Sequence, residues 1–182
     1  GVIYIDRDPR NVITSLKHHY SFKSYDDALE FMLDKNRFSG KMGKKNTYTR
    51  ETEFPTYISN WSNHYTAWKN FKKNYLLIRY EDLIKNPDNK FNEIGKFLSK
   101  LLQFKIDKKN IEKAILNSSF KNLKQSEEKF GFDEAPPDQI TNEKKKFFNL
   151  GPDNDWETHL PNNIRKEIEI NFMKEMKELN YL

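Results

Sequence analysis

The chain has 182 residues, a net charge of +5 and no cysteine, which suits one domain and excludes a disulfide framework, a thiol nucleophile and cysteine-based zinc sites. Hydrophobic residues make up 36% and charged residues 32%, and the 14% aromatic content supplies a core that the aliphatics alone would leave thin. No apolar run approaches the ~20 residues of a membrane span. The lysines are dispersed beside Asp and Glu, and the longest basic run is Lys144-Lys145-Lys146, so the positive charge reads as a solvated surface and no nucleic-acid partner is expected. The lack of cysteine fits a reducing compartment, and a cytoplasmic location is expected.

Val2 to Asp6 is a β-branched and aromatic run that reads as a buried strand, and Asp8 and Pro9 then supply an N-cap and a first helical residue. The helix is expected over residues 9–20, with Val12, Leu16 and Tyr20 on one stripe, and a second over 25–33. Residues 37–53 are polar and read as a mobile loop. Trp61, Tyr65, Trp68 and Lys72 fall at helical spacing within a helix predicted over 54–72. Residues 76–80 form the second clear strand, and Asn86-Pro87 marks a turn.

Helices are expected over 88–102, 107–116 and 161–179, with irregular chain over 131–141 and a loop over 147–152. Helices alternating with two apolar strands predict an α/β fold with a parallel sheet. Two strands are few for a sheet covered on both faces. The apolar run also begins flush at Gly1, so further strands are expected upstream.

Arg7 stands at the carboxyl end of the first strand, where open α/β sheets collect ligands. Its guanidinium suits bidentate binding of a phosphate, and Ser15 on the following helix can donate to the same anion. On spacing alone, an ion pair for Arg7 and simple packing for Ser15 are the favoured reading. Glu81 and Asp82 are poor phosphate ligands and read as structural. The stretch 39–45 (Ser-Gly-Lys-Met-Gly-Lys-Lys) follows no strand and lacks the first glycine of a phosphate loop, so it is read as flexible chain.

Residues 2–20, with Arg7, Asp8-Pro9-Arg10-Asn11-Val12 and then Ser15, resemble the 3′-phosphate-binding segment of the cytosolic sulfotransferases. The likeness continues in Trp61, His64 and Trp68, in Tyr80-Glu81-Asp82-Leu83 with Asn86-Pro87, and in Ser118-Ser119-Phe120 with Leu123. It ends in Phe147-Phe148 to Gly151 followed by Asp155-Trp156. The resemblance implies a P-loop-NTPase-like parallel sheet flanked by helices, the sulfotransferase fold in part, as a single domain over residues 1–182. It implies the donor 3′-phosphoadenosine 5′-phosphosulfate as co-substrate, no metal, and a small-molecule, carbohydrate or lipid acceptor.

Under this resemblance the donor-binding residues are Arg7, Ser15, Tyr80, Ser118, Ser119, Phe120, Leu123, Phe147, Phe148, Asn149, Leu150 and Gly151. Tyr80 and Phe120 would serve the adenine. The loop for the 5′-phosphosulfate and the histidine base are expected upstream of Gly1, so no catalytic residue is assigned here. His18, His19, His64 and His159 are read as packing or surface groups. The family's Arg-Lys pair is Asn149-Leu150 in this chain, and the first glycine of its Gly-Asp-Trp is Asn154. Lys144, Lys145 and Lys146 are candidates to replace the lost charge. Two other readings are a nucleotide-binding module without transfer activity and a P-loop phosphotransferase.

Overall fold

A computed structural model describes residues 1–39, 56–71, 73–138 and 143–182. Strand β1 (Val2–Asp6) pairs in parallel with β4 (Tyr75–Arg79), with Val2 opposite Tyr75 and Asp6 opposite Arg79. Side chains alternate between the faces of a strand, and the burial follows. Val2, Tyr4, Tyr75 and Leu77 face the main core, whereas Ile5, half exposed, lines a cavity on the other side.

Helix α1 (Pro9–His19) begins where the sequence places it, because the Asp8 carboxylate accepts from the Arg10 amide and Pro9 needs no amide partner. Helix α2 (Tyr25–Leu33) carries a capping box between Ser24 and Asp27. Two short strands pair antiparallel: β2 (Phe38–Ser39), inside the predicted loop, and β3 (Thr56–Tyr57), inside the helix predicted over 54–72. The Walker-like stretch beyond Ser39, at 40–45, lies outside the described residues.

Helix α3 (Trp61–Lys69) is shorter than the 54–72 predicted. Residues 56–57 are spent on β3, Ser59 takes a positive φ of 61°, and Asn60 caps the helix by accepting from the Asn63 amide. Residues 54, 55 and 72 of that prediction lie outside the described residues.

Four helices follow β4: α4 (Tyr80–Lys85), α5 (Pro87–Leu102), α6 (Lys108–Asn117) and α7 (Phe120–Phe130). Neither α4 nor α7 was expected. After a single 3-10 turn at Gly151–Asp153 come α8 (Trp156–His159), α9 (Asn162–Asn171) and α10 (Met173–Glu178). The last two occupy the single helix predicted over 161–179. They part at Phe172 (φ −116°, ψ 15°), whose buried ring packs 5.3 Å from that of Trp61. The backbone bonds from Phe172 to Ile168 and from Met176 to Phe172 persist across the break.

The core lies between the sheet and α1, α2, α3, α9 and α10, with Ile13, Met32, Ile164, Ile168, Phe172 and Met176 almost wholly buried. The cavity lies across the sheet from it, roofed by α4 to α7. Among the described residues no helix is long and apolar enough to cross a membrane.

Candidate nucleotide site

A cavity of about 880 Å³ opens at the carboxyl end of β1, bounded by α1, α4, the ends of α5 and α6, α7 and the 147–154 loop. Every residue singled out for donor binding in the sequence lines it, from Arg7 and Ser15 to Gly151. Residues far apart in the chain therefore share one wall.

Arg7 is held in place by two contacts. One Nη donates to the Gly151 carbonyl at 3.0 Å, and the guanidinium lies 4.3 Å over the Tyr80 ring. Its Nε–H is buried without a hydrogen-bond partner among the described residues. A buried donor without an acceptor is costly, and a guanidinium with donors to spare can pair with an anion.

Ser15 is oriented from behind. The Asn154 side-chain amide donates to the Ser15 hydroxyl oxygen at 3.2 Å and to the Asn11 carbonyl at 2.9 Å. That leaves the Ser15 proton free to be donated. Asn154 reads in the sequence as a missing glycine, yet it is 4% exposed and ties α1 to the loop.

The aromatic end is built by α7. Ser118 closes α6, its hydroxyl donating to the Ala114 carbonyl at 2.7 Å, and Ser119 caps α7 through the Asn122 amide. Both hydroxyls are thus engaged in ending and starting helices. Phe120, the first residue of α7, meets Phe148 edge to face at 6.2 Å, and Phe132 and Phe147 extend the cluster. Leu123 stands one turn further on the same face. The Glu127 carboxylate accepts the amides of both Phe147 and Phe148, which fixes the loop to α7.

Gly151 is required twice over. Its φ is +55°, and a Cβ there would lie 2.2 Å from the Phe120 ring.

The three lysines do not replace the missing pair. Lys144 bonds the Phe132 and Asp133 carbonyls, Lys145 the His18 carbonyl at 2.7 Å and Ser21, and Lys146 sits 3.6 Å from Glu128. None of them lines the cavity. His18 and His19 do. His64 does not: its Nε2 accepts from Trp68 at 3.3 Å, which leaves Nδ1 to donate to the Tyr4 hydroxyl at 3.0 Å. His159 ends α8, away from the cavity.

Sequence reasoning missed the ties behind the site. Arg10 is 6% exposed and bridges Asp8 at 2.7 Å, Glu169 at 2.8 Å and the Tyr181 carbonyl at 2.8 Å, with its guanidinium 4.0 Å over Trp156. Glu81 accepts from the Asp8 amide at 3.1 Å and from the Tyr181 hydroxyl at 3.1 Å, in keeping with its structural reading. No group of three or more acidic, His or Cys side chains stands ready for a metal among the described residues.

The chain is 28% identical to 3-beta-hydroxysteroid sulfotransferase of Cavia porcellus over 161 residues and 26% identical to sulfotransferase 2A1 of Macaca fascicularis over 168 residues. Each alignment covers 87% of this chain but 50% of the relative, so the chain spans about half the length of those proteins. The fold matches that of mouse sulfotransferase SULT7A1 complexed with PAP, with a TM-score of 0.65 at 19% identity over 96% of this chain and 58% of that one. It also matches retinol dehydratase in complex with androsterone and the inactive cofactor PAP, with a TM-score of 0.63 at 18% identity over 96% and 47% of the two chains. The family profile described as the sulfotransferase domain matches residues 1–180, and the chain belongs to the sulfotransferase family.

Proposed function

We propose that this chain carries the donor-nucleotide half of a sulfotransferase that uses 3′-phosphoadenosine 5′-phosphosulfate and a hydroxyl or amine acceptor. The acceptor is a small molecule, carbohydrate or lipid, and the enzyme works in the cytoplasm. The observation that carries this reading is the Arg7 guanidinium, whose Nε–H has no partner among the described residues, on the same cavity wall as Ser15, Tyr80 and Phe120. PAP, the nucleotide that both structural matches hold, needs a cation for its 3′-phosphate and an apolar slot for its base, and Arg7 with Phe120 and Leu123 on the cavity wall supports that fit.

When bound, the donor supplies the sulfuryl group that is transferred. Arg7 pairs with the 3′-phosphate through its free donors, and Ser15 adds a hydroxyl donor whose direction Asn154 fixes. Tyr80 holds the Arg7 plane from one side and Gly151 holds one edge, so the clamp is set before the ligand arrives. Phe120 and Leu123 take the base against an apolar wall, where an aromatic contact contributes about 1 kcal/mol.

A thermal-shift titration with PAP, and with ATP plus magnesium, tests the reading. PAP should raise the melting temperature without magnesium, and Arg7→Ala should abolish that response. A shift with ATP and magnesium alone would point to a phosphotransferase. The absence of charge at Asn149 and Leu150 favours, as a second reading, a module that binds the nucleotide without transfer. Sulfate transfer by the full gene product, measured with a panel of phenols, alcohols and amines, separates the two.

A further inference from the structure

With a nucleotide 3′-phosphate in the cavity, the site is short of positive charge. Arg7 is the one Lys or Arg side chain among the described residues on the cavity wall. A 3′-phosphate carries close to two negative charges at neutral pH. One guanidinium leaves part of that charge unpaired on burial, and unpaired buried charge is strongly disfavoured.

The remaining ionisable groups on the wall are His18 and His19, apart from the Tyr80 phenol. They follow Ser15 by three and four residues on α1, which sets both one turn along from its hydroxyl. They differ in their commitments. His18 Nε2 lies 2.8 Å from the Lys146 carbonyl, so it is a donor engaged in holding the loop. His19 has no hydrogen bond at either ring nitrogen among the described residues. Its ring is fixed by edge contacts, 4.7 Å from Tyr20 and 6.4 Å from Phe147.

We propose, resting on the nucleotide reading, that His19 is the second cation of the phosphate site, taking up a proton from solvent as the nucleotide binds. The groups around it fit a switch of this kind. His18 and Tyr20 flank it on its own helix, and Phe147 and Lys145 approach from the 143–148 segment. Lys145 is held by the His18 carbonyl and Ser21 and stands 4.0 Å from Asp138. Burial first, then His18 and Lys145, keeps the His19 imidazole below its ordinary 6.5. Burial and the neighbouring charges therefore favour the neutral imidazole. A bound phosphate supplies the counter-charge that reverses this balance.

The sign follows from linkage. A bound state that holds one more proton than the free state binds more tightly as pH falls. PAP affinity should rise about tenfold per pH unit at most, between the free and bound titration points of His19. Isothermal titration of the chain with PAP at pH 8.5, 7.5 and 6.5, in two buffers of different ionisation enthalpy, reads both quantities. The expected result is a tightening of several-fold across that range with net proton uptake. His19→Gln should lose most of both, and His159→Gln, away from the cavity, should keep both.

His19→Lys, a permanent cation, should bind PAP with little pH dependence, which tests the idea even if the glutamine variant folds poorly. Uptake that survives in His19→Gln, or that disappears in His159→Gln instead, overturns the assignment and leaves the nucleotide reading standing. No PAP binding at any pH overturns both.

Discussion

Asp6 offers a sharp test of the fold's electrostatics. It is the last residue of β1, 2% exposed, and neither carboxylate oxygen has a hydrogen-bond partner among the described residues. The groups facing it are the Tyr181 hydroxyl, which donates to Glu81, the Glu81 carboxylate itself, and Arg79 across the sheet. Burial, helped by Glu81, pushes the Asp6 carboxyl from its ordinary 3.8 up to about 7, against smaller opposing effects of Tyr181 and Arg79. Between those two pH values the folded chain binds a proton that the unfolded chain has released. Stability contributed at Asp6 therefore falls as pH rises through the window, and the full penalty stands above pH 7.

At about 1.4 kcal/mol per pH unit the penalty is at most about 4.5 kcal/mol, and relaxation with water entry brings it to roughly 2 kcal/mol. Asp6→Asn keeps the shape and removes the charge. Urea unfolding of both proteins from pH 4.5 to 8 should show the variant gaining about 2 kcal/mol on the parent across that range. Comparison at each pH cancels the titration of groups common to both, His64 and His19 included. A difference that stays flat with pH would refute the reasoning, because Asp6 would then be ionised in both states or solvated in the folded one.

Three further substitutions probe the ties behind the cavity. Arg10→Ala strands Asp8 and Glu169 at a buried junction and should cost about 3 kcal/mol by urea unfolding. Gly151→Ala meets both a positive φ and the Phe120 ring, so a loss of about 2 kcal/mol is expected. Adding Phe120→Ala should relieve the steric share and leave the backbone share, seen as non-additive melting temperatures. Asn154→Ala should cost about 1 to 2 kcal/mol and weaken PAP binding. A double-mutant cycle with Ser15→Ala should then show coupling between the two positions.

The legible parts of the fold were those governed by neighbours in sequence. β1 announced itself as a β-branched run, and the start of α1 followed from Asp8 and Pro9, whose cap acts within two residues. Helix α7 was invisible because its apolar content is Phe120, Leu123 and Phe130 amid lysines and glutamates. Its place is set by Glu127 receiving amides twenty residues away. Arg10 was passed over for a similar reason, since Glu169 and Tyr181 lie more than 150 residues from it along the chain. The aromatic spacing from Trp61 overextended α3, because periodicity carries no information about the turn at Ser59. The candidate site residues were named through motif resemblance. Spacing alone favoured a carboxylate over a phosphate for Arg7, and the unpartnered Nε–H of its guanidinium is visible only in three dimensions.

The 147–154 loop shows how an irregular segment acquires the rigidity that a binding site needs. It has no strand and only one 3-10 turn, yet separate parts of the fold hold it at several points. Glu127 of α7 takes the amides of Phe147 and Phe148, Arg7 takes the Gly151 carbonyl, and Asn154 reaches Asn11 and Ser15 on α1. Each anchor belongs to an element that also presents a side chain to the cavity: Phe120 from α7, Arg7 from the end of β1, and Ser15 from α1. Displacement of the loop therefore disturbs the phosphate end and the aromatic end together. Ordering cost that a free loop would incur on binding is met during folding instead. Nucleotide affinity should accordingly depend on Glu127 and Asn154, which hold the loop, as well as on the groups that touch the ligand.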